Sequence, residues 1–116
     1  GRAIKVLEAA TAHSRNDKIR ANLAILYWRA EQYDAALRWA SEAVAIQPLV
    51  PHNQRALGLA ALALGKFEIA GRAFEEALRL QPHHRDNHIN MAVYYRQIQR
   101  PEKAEPHLRR AEALAH

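Results

Sequence analysis

The sequence predicts an all-α protein built from repeated helix pairs, and three observations lead to this fold class. The chain repeats itself with a period of 34 residues. Each repeat contains two segments whose apolar residues recur at the spacing of one helix face. The second segment of two repeats ends in the same apolar-Gln-Pro phrase, at Gln47-Pro48 and Gln81-Pro82. Together these features predict about seven helices arranged as stacked pairs.

A gapless comparison of residues 17–50 with residues 51–84 supports the repeat. Identical residues occupy seven pairs of positions: Leu23/Leu57, Ala36/Ala70, Arg38/Arg72, Glu42/Glu76, Ala43/Ala77, Gln47/Gln81 and Pro48/Pro82. A third unit continues in register from Arg85. We therefore divide the chain into a leading segment, 1–16, and three units, 17–50, 51–84 and 85–116, which form one solenoid domain.

The helix signals follow the chain in order. Ala3–Ala10 matches the second helix of a repeat whose first helix is missing, which is expected if the chain is an excerpt from a longer array. In the complete units, the first helix carries runs such as "NLAILYW" and "INMAVYY". Gly65 is the left-handed residue expected just past the end of a first helix.

Second helices have their own start and stop signals. In two units they begin with an aromatic and an acidic residue, Tyr33-Asp34 and Phe67-Glu68, and an acid favours the positive end of the helix dipole. Proline ends them because it lacks the N–H that the next turn needs. Pro106 lies near the start of the last helix, so we expect a slight bend there.

Small residues at matching positions predict close packing within each pair, at an interaxial distance of about 8–10 Å. On the first helices these residues are Ala24, Gly58 and Ala92, and on the second helices they are Ala36, Ala70 and Ala104.

The period and these residues resemble the tetratricopeptide repeat, a 34-residue helix-turn-helix unit. The signature positions hold Leu23, Ala24, Tyr27, Ala36, Ala43 and Pro48 in the first unit, Leu57, Gly58, Ala70, Phe74, Ala77 and Pro82 in the second, and Met91, Ala92, Tyr95, Ala104, Leu108 and Ala111 in the third. The leading aromatic of the signature is replaced by Arg20, Gln54 or His88. The resemblance implies a right-handed α-solenoid of antiparallel helix pairs whose first helices line the concave side.

Composition argues against catalysis and against a cofactor or metal site. The chain has no cysteine, and its only hydroxyl nucleophiles beyond tyrosine are Thr11, Ser14 and Ser41. Ser14 lies beside His13, but adjacency in sequence does not build a catalytic triad. His84 and His88 have a metal-sharing spacing, yet they lie at a turn and in a packing slot, so a structural zinc site is the lesser alternative. We predict a protein without enzymatic activity.

The resemblance places a candidate binding groove on the first helices. The corresponding residues are Lys18, Ala21, Ile25, Trp28, Arg29, His52, Arg55, Leu59, Leu62, Ile89, Val93 and Arg96, with Asp86 at the mouth. They form an apolar strip edged by guanidinium groups. The chain has a net charge of +5, and the excess of positive charge lies on the first helices. Such a groove favours a protein or peptide partner with acidic residues. The alternative is that neighbouring repeats bury part of this strip.

Two functions remain open on the sequence. The first is a non-catalytic adaptor that binds a partner in the groove. The second is a structural spacer, because the chain resembles bacterial exopolysaccharide-secretion proteins with long periplasmic repeat arrays that recruit polymer-modifying enzymes. The compartment is left between bacterial periplasm and cytoplasm, with the periplasm favoured.

The sequence also bears on three other kinds of partner: membranes, nucleic acid and a second copy of the chain. The longest uncharged apolar run, Ala56–Gly65, is about half of what a membrane span requires, so no membrane insertion is expected. A regular aromatic ladder is missing, so no nucleic-acid binding is expected. Exposed apolar end faces would allow self-association.

Overall fold

The computed structural model describes residues 1–11 and 15–115, which form an α-solenoid. Helices occupy Arg2–Thr11 (α1), Asp17–Arg29 (α2), Tyr33–Ile46 (α3), Pro51–Ala63 (α4), Phe67–Leu80 (α5), Arg85–Gln97 (α6) and Pro101–Leu114 (α7). The all-α class with seven helices in this described part of the chain confirms the prediction. The pairs α2/α3, α4/α5 and α6/α7 stack in order, and α1 packs on α2.

Helix ends lie where the sequence signals are. The helices α3 and α5 begin at Tyr33 and Phe67 and end two residues before a proline. The amide of Asn16 caps α2, because its Oδ1 accepts from the backbone N–H of Lys18 at 2.8 Å. Pro106 lies inside a continuous α7, so it does not break that helix.

One left-handed residue ends the first helix of every pair. Gly65 has φ 72°, as predicted, and the equivalent residues Glu31 and Gln99 have φ 61° and 62°. The next N–H in each turn reaches back five residues, for example from Lys66 to the carbonyl of Ala61 at 2.9 Å. This is the Schellman geometry, which satisfies carbonyls left free at a helix end.

The predicted small residues lie at the centre of each pair. Ala24, Ala36, Ala70 and Ala104 are all at most 1% exposed. Gly58 faces the ring of Phe74, and a Cβ built on it would lie 2.4 Å from that ring. Since real Cβ contacts do not reach such distances, the glycine is required where Phe74 fills the space between α4 and α5.

Two buried asparagines join one repeat to the next. The Nδ2 group of Asn87 donates to the carbonyls of Ala77 and Gln81, both at 3.0 Å. Asn53, the equivalent residue of the preceding unit, donates to the carbonyls of Ala43 and Gln47 at 3.3 and 3.1 Å. Each asparagine lies on the first helix of a repeat and donates to carbonyls at the C-terminus of the second helix of the preceding repeat.

A second polar position joins one repeat to the next. It is the position where the repeat signature has an aromatic residue and this chain has Gln54 or His88. Gln54 Nε2 donates to the carbonyl of Pro48 at 2.8 Å, and His88 Nε2 lies 2.7 Å from the carbonyl of Pro82. Since a carbonyl only accepts, His88 carries its proton on Nε2. Polar side chains thus replace an aromatic ring at the two junctions by bonding to the turn.

Candidate functional site: the groove along the first helices

A groove with two connected sections runs along α2, α4 and α6. The charged section is lined by Ile25, Trp28, Arg29, His52, Arg55, Leu59, Asp86 and Asn90. The apolar section is lined by Trp28, Tyr33, Leu59, Leu62, Ala63, Asn90, Val93 and Gln97. Their volumes are about 310 and 410 Å³, which lie within the range of ligand pockets, roughly 300–1,000 Å³.

The central helix α4 provides the groove with a single face. His52, Arg55, Leu59 and Leu62 are spaced by three, four and three residues, so their side chains lie along one side of the helix. Polar groups occupy the N-terminal half of this face and leucines the C-terminal half. The order of residues on α4 therefore sets the order of the charged and apolar sections.

Arg55 is a half-buried cation whose hydrogen bonds go to neutral groups. Its Nη1 donates to Gln81 Oε1 at 2.8 Å and to Asn87 Oδ1 at 3.2 Å. None of the ion pairs within residues 1–11 and 15–115 involves Arg55. Burial lowers the pKa of this guanidinium, whereas the more distant charge of Asp86 raises it. A carboxylate brought to Arg55 would offset the cost of burying its charge.

His52 adds a titratable donor beside Arg55. Its Nε2 lies 3.2 Å from Asn22 Oδ1, and because an amide oxygen only accepts, this nitrogen carries a proton. Burial lowers the pKa of His52, and the charge of Arg55 lowers it further. The lowered pKa favours the neutral imidazole, so Arg55 and Arg29 provide the positive charge of this section.

Most of the groove residues proposed from the sequence lie together in these sections: Ile25, Trp28, Arg29, His52, Arg55, Leu59, Leu62 and Val93. Ala21 has no exposed surface, so its assignment to the lining is corrected: it is a core residue. Lys18, Ile89 and Arg96 lie outside the lining of both sections. On α6 the 34-residue correspondence holds for Asp86 and Val93, which match His52 and Leu59, whereas Asn90 and Gln97 line the groove instead of Ile89 and Arg96.

Helical spacing contains a signal for the residues that the sequence reasoning missed. Asp86, Asn90, Val93 and Gln97 follow one another by four, three and four residues, which is one face of α6. Tyr33 has no such signal, because it is the first residue of α3 and reaches the groove across the turn after α2.

Two histidines outside the groove lie against each other, and a third lies beside an arginine. His88 Nδ1 lies 3.1 Å from His107 Nδ1, and His83 Nδ1 lies 2.8 Å from Arg110 Nη2. Among the residues that the structure describes, no group of three or more metal-ligating side chains is arranged to bind an ion. The neighbouring residues Ser14 and His13, considered above as a catalytic pair, lie outside the described part.

Stacked helix pairs with a groove along their first helices define a helical repeat protein. Models of the tetratricopeptide repeat match residues 18–47 and 55–115. The chain belongs to the tetratricopeptide repeat family. Repeats of this family are typical of scaffolds for protein–protein interaction.

Solved structures of MamA share this fold. "MamA AMB-1 P212121" is 30% identical over 97% of this chain with a TM-score of 0.78, and "MamA MSR-1 C2" is 30% identical over 98% with a TM-score of 0.81. The chain spans 62% and 66% of the lengths of these two proteins. A comparison with curated proteins found no significant match. In the described part of this chain, no helix has the length and apolar character needed to cross a bilayer.

Proposed function

We propose that this protein is an adaptor that docks a segment of a partner protein in the groove along α2, α4 and α6. The observation that carries this proposal is the arrangement on α4, where the half-buried cation of Arg55 lies one turn from the leucine wall of the groove. A site with an apolar floor and an unpaired cation favours a partner that brings apolar side chains and carboxylates.

Charge distribution supports an acidic partner. The first helices carry net positive charge and the second helices net negative charge, so the excess lies on the groove side. Ion pairs on α5 and α7, such as Arg72 with Glu68 and Arg109 with Glu105, are internal to one helix and exposed. They add little to stability and leave the groove cations available.

Val93→Glu tests the docking function at an accessible position. Val93 is 40% exposed and lines the apolar section, so the substitution places a charge in the groove with little effect on the core. We expect wild type to capture a partner from extract of the source organism and Val93→Glu to lose it by at least tenfold, since desolvating an unpaired charge is costly.

Leu49→Glu is the matched control. Leu49 is 64% exposed and lies in the turn between α3 and α4, away from both groove sections. A protein that binds wild type and Leu49→Glu, but not Val93→Glu, supports the adaptor. Equal capture by all three, with unchanged circular dichroism, would place binding elsewhere.

The second candidate function is a structural spacer in a longer repeat array, as in exopolysaccharide-secretion proteins. A spacer needs only shape and reach, so it predicts that no partner distinguishes the two glutamate variants.

A further inference from the structure

The two sections of the groove differ in chemistry along the axis of α4. All the ionisable residues of the groove apart from Tyr33 belong to the charged section: Arg29, His52, Arg55 and Asp86. The apolar section has leucine, valine and alanine along its floor, with amides and aromatic rings at its edges. Trp28, Leu59 and Asn90 line both sections, so a single ligand can extend across the boundary.

The length of α4 fixes the distance between the two chemistries. Arg55 precedes Leu62 by seven residues, which is about 10 Å along a helix at 1.5 Å per residue. A polyproline-II chain rises about 3.1 Å per residue and has three residues per turn, so side chains i and i+3 share one side about 9 Å apart. A β-strand places residues i and i+3 on opposite sides and does not match this distance on one face.

The spacing of two side chains in a ligand distinguishes an extended ligand from a helical one. A helical ligand would reach both sections with residues seven positions apart, since it rises 1.5 Å per residue. Extended chains insert alternate side chains and leave their backbone at the mouth, which the volumes of the two sections allow.

We propose that the groove recognises a bipartite segment: a carboxylate bound beside Arg55 and a large apolar side chain packed against Leu62 and Val93, three residues apart in a polyproline-II-like chain. This inference rests on the docking function proposed above and names the chemistry of its ligand. The carboxylate binds Arg55 away from Asp86, because the like charge of Asp86 repels it.

Synthetic peptides with one glutamate and one phenylalanine provide the test. The two residues are placed from one to seven positions apart, in both orders, in a proline- and glutamine-rich background, and each peptide is titrated into the full chain. The indole N–H signal of Trp28, observed by NMR, reports on both sections. Trp39 is 7% exposed in the core and serves as the internal control.

We expect the tightest binding at a spacing of three residues. Replacing the glutamate of that peptide by glutamine should weaken binding about three- to tenfold, because glutamine still accepts a hydrogen bond and loses only the contribution of the charge. Replacing its phenylalanine by alanine should weaken binding at least tenfold. Both comparisons use unaltered protein, so they do not depend on how a variant folds.

Protein variants then assign the two ends of the ligand. Arg55→Gln should abolish the preference for glutamate over glutamine while phenylalanine still contributes. Arg72→Gln, an equal change of charge at an exposed position on α5, should leave the preference unchanged. Circular dichroism of both variants shows whether the loss of the Arg55 bonds to Gln81 and Asn87 affects folding.

Several outcomes would overturn the inference. Equal affinity at every spacing, or an optimum at two, four or seven residues, excludes the polyproline-II spacing. A Trp28 signal that no peptide shifts excludes the bipartite segment itself. The capture comparison of Val93→Glu with Leu49→Glu uses no peptide, so it decides the docking function independently of these results.

Discussion

Glu31, Gly65 and Gln99 have the same left-handed backbone at the ends of α2, α4 and α6. Only glycine adopts this conformation without steric cost, and a residue with a Cβ pays about 1–2 kcal/mol. Two of the three turns are therefore strained relative to the turn at Gly65. At Glu31 the negative charge also lies at the negative end of the α2 dipole, which adds to the cost.

Glu31→Gly is expected to stabilise the protein by about 0.5–1 kcal/mol, because relief of strain exceeds the added entropy of the unfolded chain. Gln99→Gly should act similarly, and the two should add because the turns are in different repeats. Chemical denaturation measures both. Gly65→Ala is the converse control and should destabilise by a similar amount. A lower unfolding free energy for Glu31→Gly would show that the turn is unstrained.

At the scale of single residues, sequence predicts a left-handed helix end where glycine occupies it, but not where another residue does. Gly65 was identifiable as a helix stop because few other residues occupy left-handed space. Glu31 and Gln99 are good helix formers by propensity, and only the surrounding turn forces them out of the helix. Their position follows from the repeat period once Gly65 is placed, since all three are 34 residues apart.

Between elements, Asn87 connects α6 to the end of α5. The residue is 1% exposed, and its amide pairs the carbonyls of Ala77 and Gln81 while its Oδ1 accepts from Arg55. The contact between α5 and α6 and the position of the Arg55 guanidinium thus depend on one side chain. Networks of this kind lose more on disruption than any single bond contributes.

Asn87→Leu keeps the approximate size of the side chain and removes its hydrogen bonds. We expect a loss of about 2–3 kcal/mol, because a buried amide loses its bonds to the carbonyls of Ala77 and Gln81, which keep only their backbone donors, and its bond from Arg55. Urea denaturation measures the change. Asn90→Leu on the same helix is the matched control, since Asn90 lines the groove and its side chain makes no hydrogen bond within the described residues. Equal losses in the two variants would contradict a role for the Asn87 amide.

Comparison of residues 17–50 with residues 51–84 does not reveal these asparagines, because Asn53 aligns there with Ile19. Asn53 and Asn87 are identical when the second and third units are aligned, but identity alone does not give the role of the residue. Its role depends on where the carbonyls at the end of the preceding helix point, which requires the packed structure. The groove shows the same limit: Leu59 and Leu62 on the central helix follow from period alone, whereas the face that α6 presents depends on its rotation against α4.

For the molecule as a whole, two histidines in different repeats make stability depend on pH. Burial lowers the pKa of His52, with a further contribution from Arg55. Burial also lowers the pKa of His107, with a further contribution from His88. In both cases the unfolded chain takes up a proton more readily than the folded chain, so acidification favours unfolding.

Stability is therefore expected to be complete above about pH 6.5 and to fall as the pH decreases from there through the lower pKa values of the folded state. Urea denaturation at pH 7.5 and at pH 5.5 measures this loss. The double variant His52→Gln/His107→Gln should show a smaller difference between the two pH values. An equal or larger difference in the double variant would assign the effect to other groups.

Because of the asparagine hydrogen bonds between repeats, the end of the middle unit fits the start of a second copy of the same unit. Residues 51–84 begin with a donor, Asn53, and end with two acceptors, the carbonyls of Ala77 and Gln81, which accept from the equivalent residue Asn87 of the next unit. Copies of this unit joined head to tail would reproduce the same bond at every boundary. The unit is thus a module from which longer rods of chosen length can be assembled, with one groove face per copy.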